Sequence, residues 1–346
     1  MNILVVGDPK SPLIDALYDE LLKVQQNLNL FFLNPYEDSE TGFKIKLESH
    51  EFFYDHVHIH YLSYRSLLII HKLLVNKEVN LIVSVWGSDL FKDFADGAFL
   101  RRNLWLLKHG ITPKALAEMF QRVNQWTVAN VELIDVLKTT FRVKNINIEI
   151  CRFGSKLVDL PRSNEEAKPL VITVGYNGRP NQQHIEVIRQ LTKLEDRILK
   201  NVQFAFPMPY GGSKRYRKKL SDILSKSGLN YFVIESFLSE ENLAKQMSLS
   251  SIFIQLQKTD QFSATMLEYM YFKNLVITGK WLPYNQLRRL DLTYWEIDTI
   301  DNLTEVLSSI IAKIDYYRIK TDGNSRILRQ LISWEFNIKA WQKIYL

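Results

Sequence analysis

The sequence predicts an α/β chain built as two doubly wound domains, and three observations predict it. Short apolar runs of strand length alternate with amphipathic helical patterns along the whole chain, the mark of parallel sheets covered by helices. With 346 residues, 46% of them hydrophobic, the chain has enough length for two cores. Near the middle, the mostly polar stretch Leu160–Pro169, with a proline at each end of its charged run, reads as an interdomain linker.

The first series is expected to place strands over 3–6, 30–33, 57–60, 81–85, 126–128 and 146–151, with helices over 13–24, 66–74, 99–108 and 131–139. The second places strands over 170–174, 203–206, 231–234, 252–256 and 275–278, with helices over 182–191, 215–225, 240–247, 264–272 and 303–313. Residues 325–345 read as one or two helices bearing Trp334, Phe336 and Trp341. The expected domains are 1–160 and 169–327, with the final helix, about 328–346, packing back on the first. Two such domains would face a cleft, and ligands of doubly wound sheets bind beyond the carboxyl ends of the strands.

Composition removes several classes. A single cysteine, Cys151, rules out a disulfide framework within the chain and suits a reducing, cytoplasmic setting. The amino terminus runs straight into a strand without a signal-peptide pattern, and no apolar run approaches the ~18–20 residues of a membrane span. The formal net charge of +6 fits phosphorylated substrates, anionic lipid or nucleic acid alike. The densest basic cluster, Lys214–Lys219, reads as a solvated helix start, and no nucleic-acid motif accompanies it, so no nucleic-acid partner is expected. The run Phe99–Lys108 mixes apolar and basic residues at helical spacing, which fits either peripheral membrane contact or packing on the core.

The most informative stretch is Asp260–Glu268, a loop opening into a helix ahead of the buried strand at Leu275. A helix start offers unpaired N–H groups to a diphosphate. Ser263 and Thr265 can cap it. Glu268 lies about a turn and a half into the helix, where its carboxylate could take two vicinal ribose hydroxyls. An amphipathic helix with a solvated Glu would look the same in isolation. The loop after the first strand of the second domain holds Gly175, Asn177 and Arg179, with Asn181 placed to cap the next helix. A guanidinium matches two diphosphate oxygens at once. Tyr210, Gly211 and Gly212 end the next strand and either let backbone amides approach a phosphate or supply a turn.

In the first domain Trp86, Ser88 and Asp89 follow the fourth strand, an aromatic and a carboxylate around a tight glycine turn. Asp89 would act as a general base or cap the following helix. Asp8 lies on the first strand-end loop, which lacks the Gly–Lys–Ser/Thr ending of a P-loop. His58 and His60 share one face of their strand, and His56 joins them only if the strand starts earlier. A buried structural role suits them better than metal ligation. No Asp-x-Asp motif supports a Mg²⁺-bound donor, so neither metal nor cofactor is expected.

In order and spacing these segments resemble GT-B glycosyltransferases along nearly the whole chain. Val57–His60 and Val85–Asp89 resemble acceptor-domain motifs, and Arg152–Ser155 resembles the glycine segment before the linker. The Val174–His184 loop and Pro207–Gly211 look like the bacterial 4-acetamido-4,6-dideoxygalactose transferases, which act on a lipid-linked intermediate. Phe262–Tyr269 looks like the large retaining family, whose signature has two acids separated by seven residues; here the first acid is Asp260 and the second Glu268. That family also carries a lysine soon after the donor-loop arginine. None follows Arg179 closely, and Lys258 or Lys280 would have to substitute.

The resemblance implies two Rossmann-like domains and a cytoplasmic, metal-independent transferase that takes sugar from a nucleotide-sugar. The acceptor it implies is a glycan, expected to be a polyprenyl-diphosphate-linked intermediate of bacterial surface polysaccharide or lipopolysaccharide, handled at the inner face of the plasma membrane. Gly175, Asn177, Arg179, Tyr210, Gly211, Asp260, Ser263, Thr265 and Glu268 would bind the donor; His60, Trp86 and Ser88 would face the acceptor. An inverting enzyme would use Asp89 or Asp8 as base, whereas a retaining one would rely on Arg179 to stabilise the departing diphosphate. A catalytically silent GT-B partner subunit and a GT-B nucleotide-sugar epimerase are the alternatives.

Overall fold

A computed structural model describes residues 1–35, 54–76, 79–86, 104, 106–144, 146–162, 169–260 and 262–346. The chain forms two compact units, Met1–Gly154 with Trp334–Leu346, and Ser155–Ser333.

Unit 1 begins with β1 (Asn2–Val6), α1 (Pro12–Val24), β2 (Asn29–Leu33), β3 (His56–His60), α2 (Tyr64–Asn76) and β4 (Asn80–Ser84). It continues with α3 (Pro113–Gln121), β5 (Gln125–Val128), α4 (Glu132–Phe141) and β6 (Ile148–Ile150). All strands pair in parallel in the order β2-β1-β3-β4-β5-β6. Apolar residues fill both faces of β1, as a parallel sheet buried on both sides requires. Leu4 and Val6 join one core layer with Ile59 and Val83, while Ile3 and Val5 join the other with α1. The inward stripe of α1 is Ile14, Leu17, Tyr18 and Leu21, at helical spacing, and Pro12 opens the helix where a missing N–H costs nothing.

Unit 2 runs β7 (Leu170–Val174), a 3₁₀ turn Pro180–Gln182, α5 (His184–Leu191), β8 (Val202–Pro207), α6 (Lys214–Lys226) and β9 (Tyr231–Ile234). It continues with α7 (Glu240–Leu249), β10 (Ser250–Gln255), α8 (Ala264–Tyr271), β11 (Leu275–Gly279), β12 (Trp295–Ile297), α9 (Leu303–Ala312), α10 (Ile314–Thr321) and α11 (Asn324–Ile332). Its parallel sheet has the order β12-β11-β10-β7-β8-β9. Ile252 and Ile254 face the layer made with α5, α6 and α9, and Phe253 faces the layer made with α7, α8 and α11. The last helix, α12 (Trp334–Lys343), packs against α1 in unit 1.

Most strand and helix ends fall within one or two residues of the sequence expectation. β3 starts at His56 rather than Val57, so all three histidines alternate onto one face. Of the helices and strands named above, three had no expectation. In α3 only Met119 and Phe120 are buried, β12 is a three-residue edge strand, and α10 buries Thr321 alone, so each lacks an apolar pattern. The first boundary between units falls at Gly154–Ser155, because the 3₁₀ turn Lys156–Asp159 packs on α7 and α8. Residues 163–168 of the linker segment and most of Phe99–Lys108 lie outside the described residues. Among the described residues no helix is long and apolar enough to cross a membrane.

Candidate active site

In unit 2 the strand order reverses between β7 and β10. Chain leaves these neighbouring strands in opposite directions, which opens a crevice at their carboxyl ends. Residues Gly175–Gln183 and Leu256–Ser263 emerge there, and the sequence knits them together. Gly175 N donates to Ile254 O at 3.0 Å. The Asn181 side chain donates to Thr259 O at 2.9 Å and to Gln257 Oε1 at 3.2 Å, and the Asn181 backbone carbonyl accepts from Lys258 N at 2.9 Å. Asn181 therefore does not cap α5, contrary to expectation. The 3₁₀ turn intervenes, and Gln183, at φ 57°, takes the cap position without a side-chain bond.

Asn177 is buried and shapes the loop, its Oδ1 accepting from Arg179 N at 3.0 Å. Its amide also donates to the Tyr210 hydroxyl at 3.4 Å. Arg179 is exposed, has no acidic partner among the described residues, and holds its guanidinium carbon 5.7 Å from the centre of the Tyr210 ring. Tyr210 in turn lies parallel to Phe237, with ring centres 5.6 Å apart. Phe237 is 70% exposed. Gly211 has φ 78°, and a Cβ there would stand 2.5 Å from Arg179 Cγ, so glycine leaves the arginine its place. The Gly211 carbonyl accepts from Arg217 Nε at 2.8 Å. Gly175, Asn177, Arg179, Tyr210 and Gly211 are thus brought into one cluster.

The second cluster opens α8. Ser263, buried, caps the helix by accepting from Met266 N at 3.1 Å and accepts from Gln255 Nε2 at 3.2 Å. Thr265 sits in the first turn and is not the cap. Asp260 accepts a hydrogen bond from the Tyr284 hydroxyl through Oδ2. Burial, reinforced by the Asp260 charge, raises the Tyr284 hydroxyl well above its ordinary pKa, so Tyr284 stays a donor. Glu268 is partly buried; burial raises its carboxyl above the usual range, while a bond from the Ser155 hydroxyl offsets part of the rise. Of the two lysines that might have completed the donor loop, Lys280 is paired with Asp298 at 3.0 Å.

Unit 1 carries the residues assigned to the acceptor. Asp8 Oδ1 accepts from Lys10 N at 2.9 Å and Asn34 Nδ2 at 3.3 Å. His60 ends β3, with its Nε2 2.9 Å from the Tyr18 hydroxyl. His58, between Ser84 Oγ at 2.6 Å and the Tyr345 hydroxyl at 2.5 Å, has both ring nitrogens occupied. Burial lowers the pKa of His60 to about 3 and that of His58 well below its ordinary value, so both rings are neutral. Trp86 packs 5.2 Å from Phe153 and 6.0 Å from His60, ring to ring. Ser88 and Asp89 lie outside the described residues.

Sequence reasoning passed over Asn181 as a loop tie, Arg217, Phe237, Tyr284 and Trp281. Only Phe237 left a signal, as an aromatic just beyond a strand end. Asn181, Tyr284 and Trp281 act through contacts with chain distant in sequence, which no local pattern encodes, and Arg217 through the turn that precedes its helix.

No protein-family model and no curated protein sequence matches the chain. Solved structures do. Sucrose-phosphate synthase from Thermosynechococcus elongatus aligns with a TM-score of 0.74 and 12% identity, over 100% of this chain and 98% of that one. HepE of Anabaena, in complex with UDP-glucose, gives 0.70 and 12%, over 99% of each chain. An α,α-trehalose-phosphate synthase (UDP-forming) from Burkholderia xenovorans, in complex with glucose-6-phosphate, gives 0.67 and 10%, over 99% of this chain and 100% of that one. The fold is that of the GT-B glycosyltransferases.

Proposed function

We propose that the chain is a glycosyltransferase that moves a sugar from a nucleotide-diphosphate sugar to a glycan, with unit 2 holding the donor. The observation that carries this reading is the Arg179 guanidinium, without an acidic partner among the described residues, held beside the Tyr210–Phe237 ring pair at the point where the strand order reverses. In sugar transfer the C1–O bond to the diphosphate breaks while a bond forms from C1 to the acceptor oxygen. Negative charge then gathers on the departing diphosphate. A guanidinium donating to two of its oxygens stabilises that charge more than the ground state, without a metal ion. The exposed ring pair offers a face on which a nucleobase stacks. Asp260 and Glu268 flank the capped start of α8, where sugar and ribose hydroxyls need acceptors. HepE was crystallised with UDP-glucose, which makes a uridine donor the first choice.

Unit 1 is proposed to present the acceptor, with Asp8 taking the hydroxyl proton. The polyprenyl-diphosphate-linked glycan is the acceptor supported by the resemblance of the Val174–His184 and Pro207–Gly211 segments to transferases of lipid-linked intermediates. That acceptor would place the enzyme at the cytoplasmic face of a membrane.

The test is the melting temperature of the purified chain with UDP, GDP, dTDP, ADP or CMP, without added metal. A nucleotide at a hundredfold excess over Kd stabilises by ~2.7 kcal/mol, which a melting curve resolves. One nucleotide is expected to stabilise and so identify the base. No stabilisation by any of the five would overturn the donor reading.

A further inference from the structure

A second feature of unit 2 lies beside the donor crevice and shares with it the loops that carry Gln183 and Lys258. Beyond the carboxyl ends of β10, β11 and β12, a depression of about 310 Å³ is lined by Gln183, Lys258, Trp281, Asp298, Thr299 and Ile300. It is shallow and open to solvent rather than enclosed. Gln183 and Ile300 belong to the α5 and α9 side of the sheet, whereas α8, with Ser263 and Glu268, packs on the opposite face.

The indole of Trp281 is fixed in this depression. Its Nε1 donates to Gln257 O at 2.8 Å. The ring lies against Gly279, where any Cβ would collide with its six-membered ring. Trp281 stays 38% exposed all the same. An aromatic ring tied down by a hydrogen bond and a glycine, yet open to solvent, is not serving the core. Lys258 beside it is exposed and has no acidic partner among the described residues, in contrast to the Lys280–Asp298 pair at the rim. Thr299 adds a hydroxyl that donates to Asn302 Oδ1 at 3.1 Å and offers a remaining lone pair to a ligand.

We propose that this depression binds one hexose ring of a glycan, stacked on Trp281 and hydrogen-bonded by Lys258 and Thr299. A pyranose has an apolar face of C–H groups and a rim of hydroxyls. A flat indole face accepts the first through dispersion and weak C–H contacts, and a polar rim accepts the second. The ammonium of Lys258 can donate to neighbouring hydroxyls, and Asp298 can accept from one without leaving Lys280. The site would hold a glycan beside the donor crevice, and its choice of a sugar ligand rests on the transferase reading above.

The full chain labelled with 5-fluorotryptophan tests this, with the Trp281 resonance assigned by Trp281→Phe. The probes are the methyl glycosides of glucose, galactose, N-acetylglucosamine and N-acetylgalactosamine at tens of millimolar, and separately UDP. The Trp281 resonance is expected to move saturably with at least one glycoside and to ignore UDP. Lys258→Ala should weaken that glycoside by about tenfold, the worth of one hydrogen bond from a charged group. A resonance unmoved by every glycoside, or moved by UDP alone, overturns the proposal. UDP stabilisation of Trp281→Phe equal to that of the parent chain keeps this result separate from the fate of the donor site.

Discussion

Gly211→Ala is the sharpest probe of the donor crevice, because it acts on Arg179 without touching its charge. Gly211 sits at φ 78°, and the left-handed region costs an alanine about 1–2 kcal/mol. The added Cβ would stand 2.5 Å from Arg179 Cγ and 3.4 Å from Arg179 N. The backbone atom can stay, but Cγ cannot, so the side chain must turn and carry its guanidinium away from Tyr210. A hydrogen bond from a charged group is worth about 1.5–3 kcal/mol, or roughly ten- to a hundredfold in Kd. Calorimetric titration of UDP into the parent, Gly211→Ala, Arg179→Ala and the double variant measures this. Each single variant should bind at least about tenfold more weakly. The double variant should bind no more weakly than Arg179→Ala, because both changes remove one contact. The strain itself should lower the melting temperature by about 2–4 °C per kcal/mol. Unchanged UDP affinity in a destabilised Gly211→Ala protein refutes the reasoning, as does simple additivity in the double variant.

Two further outcomes follow from buried ionisable groups. Glu268 has a folded pKa above its ordinary 4.5 through burial, so it supports folding below that pH and loses this support as pH rises through the folded value. Glu268→Gln should therefore raise the melting temperature at neutral pH while weakening UDP binding, and a lowered melting temperature would remove the cost assigned to the buried carboxylate. The buried histidines have the opposite dependence: His60 at about 3 and His184 at about 4 fold as neutral rings, so stability is full above 6.5 and falls as pH drops from there towards those values. Urea unfolding should show up to about 1.4 kcal/mol lost per pH unit for each such histidine, and His60→Gln should remove its share; stability flat between pH 6.5 and 4 would contradict this.

The sheets were legible because both are parallel and buried on both faces. Strands such as Val171–Val174 and Leu275–Thr278 are apolar runs with a single threonine each, bounded by glycine or charge. The start of α8 was equally legible, since a Ser cap is a local device; Ser263 bonds within its own turn. What sequence could not supply is the partner of a polar side chain. Asn181 has the chemistry of a cap, and only the fold shows Gln257 and Thr259 within its reach. Tyr284 lies 24 residues from Asp260, and Trp281 reads as an isolated aromatic until Gly279 and Gln257 O fix its ring.

The polar atoms left unpaired in the interior of unit 2 bear on where its function lies. Gln182 Oε1, His184 Nε2, Gln255 Oε1, Gln257 Nε2 and Asn274 Oδ1 are buried without hydrogen-bond partners among the described residues. A buried polar group left unsatisfied costs about 1–3 kcal/mol, and folds concentrate such costs where function or bound water repays them. All but Asn274, which precedes β11, lie on the two loops that meet at the strand-order reversal or on the adjoining residues, the first of α5 and the last of β10. Gly175 belongs to the same arrangement. At φ 64° its absent Cβ would meet Gln182 Oε1 at 2.8 Å and His184 Nε2 at 3.1 Å. The glycine that sequence assigns to phosphate approach therefore also makes room for this polar cluster. The loop that presents Arg179 is shaped from beneath by amides and an imidazole, for which Gly175 leaves room.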